Sequence, residues 1–448
     1  MKKARAILCG VLAALMLAGC GGQQGGATLD LKQYAVAQAV YPDYPKRPIE
    51  ADYYRDDGQW DDSAYEADYE KYVDGLWALG KNEERVDTAA LTAFGGNTAA
   101  AIFTTQENTV YSPVSLYVAL GMLTELTDGE TKQQVMDLLG AADAGALRQQ
   151  IKKLWVSVYQ DGDAVCRLAN AAFLRENADV KQSAADTLAQ WYYASSYRVP
   201  MGTEEADRAI ASWLNQQTGG LLAEETGNIR TDAANLLRLY NTIYYKAGWW
   251  EPFKSSRTKA DTFTAADGSE QRADFMHLTE TGDVLRGEGY TAAPKSLKCG
   301  RMVFVLPDEG VTPESLLARD GFLTELTGEY SMADVVWSVP RFDVKTSVDL
   351  KDILKALGVT DAFDGNMADF TPLTDNGAMV NSVMQAARVK IDEEGVEAAA
   401  YTEIVANDSS AMIEPPPVVE MNLNRPFLFV IFDGNDVPLF VGTVQTVA

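Results

Sequence analysis

The sequence predicts an α+β protein with one large folded body. Of its 448 residues, 47% are hydrophobic and 23% are charged, a composition that can bury an extensive core. Helical apolar patterns come first in that body, and short apolar strand patterns with fewer helices follow. No glycine-rich linker divides residues 75–448, so we expect a single domain there.

The charge balance and the histidine count limit the possible functions. The chain has 64 acidic and 38 basic residues, a formal net charge of −26. Because nucleic acids are bound by clustered cations, we expect no nucleic-acid partner. The single histidine, His277, excludes a His-rich metal site and leaves a triad only one possible base. We predict no enzyme, metal or cofactor; a hydrolase that uses His277 or a carboxylate pair is the catalytic alternative.

The N-terminus has the pattern of an export signal. Three cations precede the apolar run Ala6–Leu17, which is too short to span a bilayer stably. The run ends in Leu-Ala-Gly-Cys at Cys20, which resembles the lipobox of bacterial lipoproteins and implies cleavage after residue 19 with lipid on Cys20. An ordinary signal peptide with a chance cysteine is the alternative. We expect an exported protein, lipid-anchored on the outer face of a bacterial envelope membrane.

The acidic composition of residues 20–74 predicts a tether between that anchor and the body. From Asp52 to Glu70, eight acidic residues stand against one cation, Arg55. Five aromatic residues are interleaved with them, namely Tyr53, Tyr54, Trp60, Tyr65 and Tyr69. A charge run of this kind is typical of a solvated segment. Because of the aromatic residues, the alternative is a segment that docks on the body or on a partner.

Several stretches of the body have clear secondary-structure signals. Residues 135–139 share an apolar helical face, and Gly140 follows as a stop signal. Residues 235–245 are rich in apolar and β-favouring side chains, which predicts a strand. Three short apolar runs predict further strands at 302–307, 335–340 and 428–432.

Six segments of the body carry motifs that occur together in one known family. They are Asn108–Ser115 with the helix through Leu123 and its continuation to Gly140, Ile210–Leu222, Asn241–Trp249, Ala368–Phe370, Arg425–Phe429 and Pro438–Gly442. In this order they resemble the serpin family and cover residues 75–448. Ala211, Leu221 and Ala247 depart from residues common in the family. The resemblance implies the serpin fold, with helices around a large central mixed β-sheet, smaller sheets and an exposed reactive loop.

The same resemblance assigns roles to five residues. Ser112, Ser115 and Asn241 are implied to form a hydrogen-bonded cluster under the central strands. Trp249 is implied to lie beneath the opening of the sheet. Gln385 replaces a histidine common in the family, and its amide can both donate and accept hydrogen bonds. Plain packing is the alternative role for each of them.

The segment after Ile391 alternates with a period of two, as a middle strand of a sheet would. Its first face carries no charge and mostly small side chains: Val396, Ala398, Ala400, Thr402, Ile404 and Ala406. The other face carries the bulky or charged ones: Glu397, Ala399, Tyr401, Glu403, Val405 and Asn407. Such a segment can enter a crowded sheet with the small side chains inward. A helix-prone loop is the alternative, since Glu-Ala-Ala-Ala favours helix.

By resemblance, this alternation is the hinge of an inhibitory serpin's reactive loop at about residues 393–418. The hinge comprises Glu394, Gly395, Val396, Glu397, Ala398, Ala399, Ala400 and Thr402. A target protease would cut the loop, form an acyl-enzyme and be trapped as the loop inserts into the sheet. The alternatives are a non-inhibitory serpin that acts as a binding or adhesion lipoprotein on the cell surface, and a solute-binding lipoprotein.

Family spacing from Gly395 places the cleaved bond at Ser409–Ser410. A shift by one or two residues would move it to Asp408–Ser409 or Ser410–Ala411, and Met412 is a later candidate. A serine before the bond suits proteases with shallow primary pockets, such as elastase-like or subtilisin-like enzymes. No arginine or lysine lies between Lys390 and Arg425, so a trypsin-like protease finds no cut site there. We expect a monomer whose partner is an extracellular serine or cysteine protease.

Overall fold

The computed structural model describes residues 29–447 except 56, 80–85, 163 and 397–415. The described residues form eleven α-helices and seventeen β-strands, and the strands make two large mixed sheets. The predicted α+β class is confirmed. The helices are α1 (Asp62–Ala78), α2 (Thr88–Ile102), α3 (Pro113–Leu126), α4 (Gly129–Leu139), α5 (Ala144–Val158), α6 (Gln182–Trp191), α7 (Glu204–Gln217), α8 (Ala223–Thr226), α9 (Pro313–Leu317), α10 (Phe322–Glu325) and α11 (Lys351–Ala356).

The first sheet, here called the central sheet, has the order β1-β5-β4-β6-β14-β13-β12, with β3 paired to β4. Its β4–β5 pair is parallel and its other pairs are antiparallel. Its strands are β1 (Ala35–Ala37), β3 (Gln160–Asp161), β4 (Val165–Arg175), β5 (Ala194–Val199), β6 (Leu237–Gly248), β12 (Phe342–Asp349), β13 (Met384–Ile391) and β14 (Gly395–Val396).

The second sheet has the order β15-β11-β8-β9-β10-β16-β17-β2, with β7 paired to β8. Only its β11–β15 pair is parallel among the described strands. Its strands are β2 (Thr109–Tyr111), β7 (Lys259–Thr264), β8 (Glu270–Gly287), β9 (Tyr290–Ser296), β10 (Arg301–Pro307), β11 (Ser331–Pro340), β15 (Val418–Asn422), β16 (Phe427–Phe432) and β17 (Pro438–Val444).

The core is built around α3, which packs against both sheets. Thirteen of its fourteen residues are buried, because the helix is apolar nearly all round and so has no face suited to water. Helix α7 packs on the central sheet through Ile210 and Trp213, which join a second cluster with Phe173 of β4 and Tyr240 of β6. The central sheet is therefore covered on both faces.

The local sequence signals correspond to observed elements. Helix α4 ends at Leu139, and Gly140 follows with a φ of 65°, the left-handed conformation that glycine adopts without strain. The predicted strands at 235–245, 302–307, 335–340 and 428–432 are confirmed as β6, β10, β11 and β16. Cys166 is buried on β4, Cys299 is partly exposed, and the described residues contain no disulfide.

Part of the predicted tether packs on the body. Strand β1 extends the central sheet beside β5, and Tyr44 stacks on Tyr159 with ring centroids 3.7 Å apart. The acidic stretch contributes to α1, whose N-cap is Asp61, because an Asp side chain satisfies the first amides of a helix. The predicted boundary between residues 74 and 75 falls inside α1 and stays a prediction.

Two features are absent from the described residues. None of their helices is both long and apolar enough to cross a membrane. No three of their His, Cys, Asp or Glu side chains converge as metal ligands would. His277 lies within β8, opposite Ser338 of β11.

Candidate functional site

The candidate site begins at the turn between β13 and β14. The carboxylate of Asp392 accepts hydrogen bonds from the amides of Glu394, at 2.9 Å, and Gly395, at 3.3 Å. A Cβ atom on residue 395 would overlap the carbonyl oxygen of Ala247 and come within 2.6 Å of the Cα of Gly248. Only glycine permits this approach, so Gly395 sets how closely β14 meets β6.

Val396 marks the point where the loop segment joins the central sheet. It pairs with Ala247 of β6 on one side and with Ile391 of β13 on the other, and all three side chains are buried. Both pairings are antiparallel. Within the described part of the chain, no backbone ladder joins β6 directly to β13. Strands β6 and β13 therefore lie on either side of β14, and we call the interval between these two strands the lane.

Trp249 stabilises this turn through two hydrogen bonds. Its indole Nε1 donates to the carbonyl oxygen of Asp392 at 2.9 Å, and its amide donates to the carbonyl of Glu394 at 2.8 Å. Only 1% of the residue is exposed. Trp249 therefore lies directly against the turn that leads into β14, and the role implied for it beneath the opening of the sheet stays a prediction.

An ion pair ties the same turn to the second sheet. Arg341, between β11 and β12, donates Nε to Oε2 of Glu393 at 3.0 Å, and a second guanidinium nitrogen donates to Oε1. Burial alone would raise the pKa of Glu393, but hydrogen bonds from Arg341 and Thr258 outweigh it and hold that pKa below its usual value. The carboxylate is therefore ionised at neutral pH. An open cavity of about 590 Å³ borders the turn and is lined in part by Arg341, Lys390, Asp392 and Glu393.

A buried lysine beneath Trp249 was not found by sequence reasoning. The ammonium of Lys295, a residue only 1% exposed, lies 5.9 Å from the ring centroid of Trp249 and 3.0 Å from Oε1 of Glu280. Trp337 donates to the same oxygen at 2.8 Å. Burial lowers the pKa of Lys295, while Glu280 opposes the shift. Its signal in the sequence is a lone lysine within the apolar stretch of β9.

The second group of predicted residues meets at the N-terminus of α3. Ser112 caps this helix by accepting from the amide of Ser115 at 3.1 Å, and the Ser115 hydroxyl donates to the side chain of Asn241 on β6. Gln385 of β13 bonds both backbone groups of Ser112, donating at 3.0 Å and accepting at 3.2 Å. One helix end therefore bridges β6 and β13, the two strands that flank the lane.

Asn170 also belongs to this cluster, although it was not identified from the sequence. Its side chain lies on β4 directly opposite Asn241, whose amide donates to it, and its own amide donates to the carbonyl of Tyr192. Nothing in the spacing of Asn170 distinguishes it from other strand asparagines. The cluster thus spans β4, β6, β13 and α3.

The remaining predicted site residues lie outside the described residues. They are Glu397, Ala398, Ala399, Ala400, Thr402, Ser409, Ser410 and Cys20. The described chain resumes before β15, which begins at Val418 and pairs with β11.

Comparison with known proteins gives one consistent result. Residues 89–447 match the family model described as Serpin (serine protease inhibitor). Serpin-Z1A of Triticum aestivum is 30% identical over 358 residues, which cover 75% of this chain and 89% of that protein. Serpin B6 of Macaca fascicularis is 28% identical over 344 residues, which cover 72% and 89%.

Solved structures share the fold. The native state of the thermophilic serpin Tengpin aligns with a TM-score of 0.72 and 23% identity, covering 82% of this chain and 96% of that one. Thyroxine-binding globulin in complex with thyroxine aligns with a TM-score of 0.69 and 23% identity, covering 81% and 99%. At this identity the likeness concerns the fold alone, and it agrees with the fold implied by the motifs.

Proposed function

The chain belongs to the serpin family, whose model is that of serine protease inhibitors, and we propose that it inhibits a protease as a suicide substrate. The protease serine attacks the carbonyl of Ser409, the peptide bond to Ser410 breaks, and an ester joins the enzyme to the inhibitor. The cut loop then enters the central sheet before water can hydrolyse that ester.

The observation that carries the proposal is the antiparallel lane that starts at Val396. If the residues after Val396 continued the same antiparallel pairing, every second residue would face inward. Each of these inward hinge residues would then lie beside one residue of β6 and one residue of β13. The resulting neighbours are Tyr245 and Val389 for Ala398, Ile243 and Ala387 for Ala400, and Asn241 and Gln385 for Thr402. Small side chains at 398 and 400 suit this crowded face, and the Thr402 hydroxyl would reach polar partners.

Insertion is favourable only if the inward face stays uncharged. Ordering each residue costs about 1–2 kcal/mol. Each new ladder hydrogen bond returns about 1 kcal/mol net. The remaining free energy of insertion must come from apolar burial and relief of strain. Burying one inward charge costs several kcal/mol, so insertion would then be slower than hydrolysis of the acyl-enzyme ester.

Incubation with a protease tests the proposal directly. Elastase and subtilisin should each give a complex that survives hot detergent and contains the loop cut at Ser409–Ser410 by mass spectrometry. Trypsin serves as the matched control, because residues 391–424 contain no arginine or lysine. Cleavage at that bond without any complex, and without a rise in melting temperature of the cut protein, would instead favour a non-inhibitory serpin with a binding role.

The proposed location is the outer face of a bacterial envelope membrane, through lipid on Cys20. Support comes from the apolar run and the Leu-Ala-Gly-Cys sequence that ends it. Expression in a bacterial host fed labelled palmitate should label the protein and place it in the membrane fraction. The Cys20→Ser variant should lose the label, and equal labelling of that variant would contradict the proposal.

A further inference from the structure

Helix α1 presents a face that nothing in the described chain covers. None of its 17 residues is buried, although a helix of this length gains most of its stability from packing of one face. Its rings contact each other and the preceding turn: Tyr65 lies 5.3 Å from Tyr53 and 5.1 Å from Trp60 between centroids. We call residues 50–78 the acidic arm.

The exposed face of the arm is a row of like charges. Asp62, Glu66, Glu70 and Asp74 follow one another at the four-residue spacing that brings side chains together on a helix, and all are exposed. Like charges at this spacing repel and destabilise a helix. The residues 50–78 include ten acidic and two basic residues. Both cations are engaged inside the arm, Arg55 with Asp61 at 3.1 Å and Lys71 with Asp68 at 2.7 Å.

Two exposed rings flank this row. Tyr69 is 40% exposed and Trp77 is 48% exposed. A ring face attracts a lysine or arginine side chain through its electron density, most strongly for tryptophan. Carboxylates and rings therefore favour the same kind of ligand.

We propose that the acidic arm is a docking surface for a lysine- and arginine-rich surface of another protein. A second copy of the chain does not fit, because the net charge of −26 makes two copies repel. An anionic lipid surface is repelled for the same reason. The carboxylates are spread along the helix, and no metal-binding group of three is found among the described residues. Only an extended cationic surface can pair with the whole row.

The arm holds such a partner near the end of the central sheet where β14 begins. Gly75 of α1 packs against Pro45, and the neighbouring Tyr44 stacks on Tyr159, which directly precedes β3. Strand β3 pairs with the start of β4, where Val165 pairs with Lys246 of β6. Two residues further along β6, Gly248 pairs with Gly395 at the start of β14. The inference does not depend on protease inhibition, since it concerns a surface outside the hinge.

Binding of a sixteen-residue peptide rich in lysine and arginine to the full chain at 150 mM NaCl tests the proposal, with titration calorimetry as the readout. The combined variant Asp62→Asn, Glu66→Gln, Glu70→Gln should bind about tenfold more weakly. The control Glu309→Gln, Glu329→Gln, Asp352→Asn removes the same charge from exposed sites elsewhere and should change binding less than about twofold. Equal weakening in the two variants, or none in the first, would overturn the proposal.

A charge-neutral pair of variants tests the rings. Tyr69→Ala with Trp77→Ala should weaken binding about threefold or more. Trp250→Ala, which removes a ring that is 64% exposed elsewhere, should not. Circular dichroism verifies that α1 persists in each variant. Carbodiimide should cross-link peptide lysines to Glu66 or Glu70, and cross-links spread over the body without these two would contradict the assignment.

Discussion

Arg341 and Glu393 connect a fixed part of the second sheet to the turn from which β14 emerges. The carboxylate accepts two guanidinium hydrogen bonds, one of them at 3.0 Å, and its side chain is only 9% exposed. Arg341 is itself anchored, because its amide donates to the carbonyl of Asp274 at 2.9 Å. The pair therefore restrains the turn that leads into β14.

Removal of the cation should loosen this turn. In Arg341→Gln the mostly buried Glu393 carboxylate loses its ionic partner, which should cost about 1–2 kcal/mol after allowance for the exposure of the arginine. The expected result is a lower midpoint of urea unfolding. The control Lys390→Gln removes one exposed cation from the adjacent strand and should leave the midpoint nearly unchanged. An equal loss in both variants would mean that the pair contributes only net charge.

The same pair predicts a pH dependence. Since the folded pKa of Glu393 is lowered, its contribution to stability is complete above its ordinary pKa of about 4.5 and is lost as the pH falls through the lowered value. Unfolding midpoints measured from pH 7 to pH 3 should therefore fall less steeply in Glu393→Gln than in the parent. Parallel curves for the two proteins would contradict this linkage.

The proposed register makes neighbouring hinge alanines differ. An arginine at residue 400 would face the core between Ile243 and Ala387, whereas one at residue 399 would face away from it. Ala400→Arg should convert inhibition into turnover of the cut protein, because burying the charge costs several kcal/mol. Ala399→Arg should retain most of the covalent complex. The ratio of complex to cleaved product on a denaturing gel measures both, and equal ratios would refute the register.

Gln385 should contribute to stability through the two backbone groups that it satisfies. Gln385→Ala leaves the buried amide and carbonyl of Ser112 without these bonds, at a cost of about 1–3 kcal/mol. The expected result is a lower melting temperature and faster opening between β6 and β13. The exposed neighbour Met384→Ala is the control. A similar melting temperature in both variants would show that water replaces the amide.

Asp433 predicts a second pH dependence, opposite in sign to that of Glu393. Burial raises its pKa to about 6, although the amides of Asn435 and Val437 and the hydroxyl of Ser157 bond the carboxylate. A raised folded pKa gives stability that is complete below the unfolded value of 3.8 and is lost as the pH rises through about 6. The loss amounts to about 3 kcal/mol. Asp433→Asn should remove this loss between pH 4 and pH 7, and an unchanged profile would contradict the shift.

Local patterns in the sequence determined the elements whose causes are local. Gly140 ends α4 because glycine alone adopts the required φ without strain, and the run at 302–307 becomes β10 because consecutive apolar and β-branched side chains favour a strand. The alternation after Gly395 likewise follows from side-chain size and charge. These features depend on neighbours in the chain, so the sequence by itself determined them.

Contacts between distant residues were decided by the tertiary structure alone. Gln385 meets Ser112 across 273 positions, and Lys295 becomes buried only because Glu280, Trp249 and Phe253 surround it. Residues 35–37 of the tether become an edge strand because β5 offers unpaired backbone groups there. In each case the free energy comes from a partner that sequence spacing does not reveal, so folding of the whole chain selects the contact.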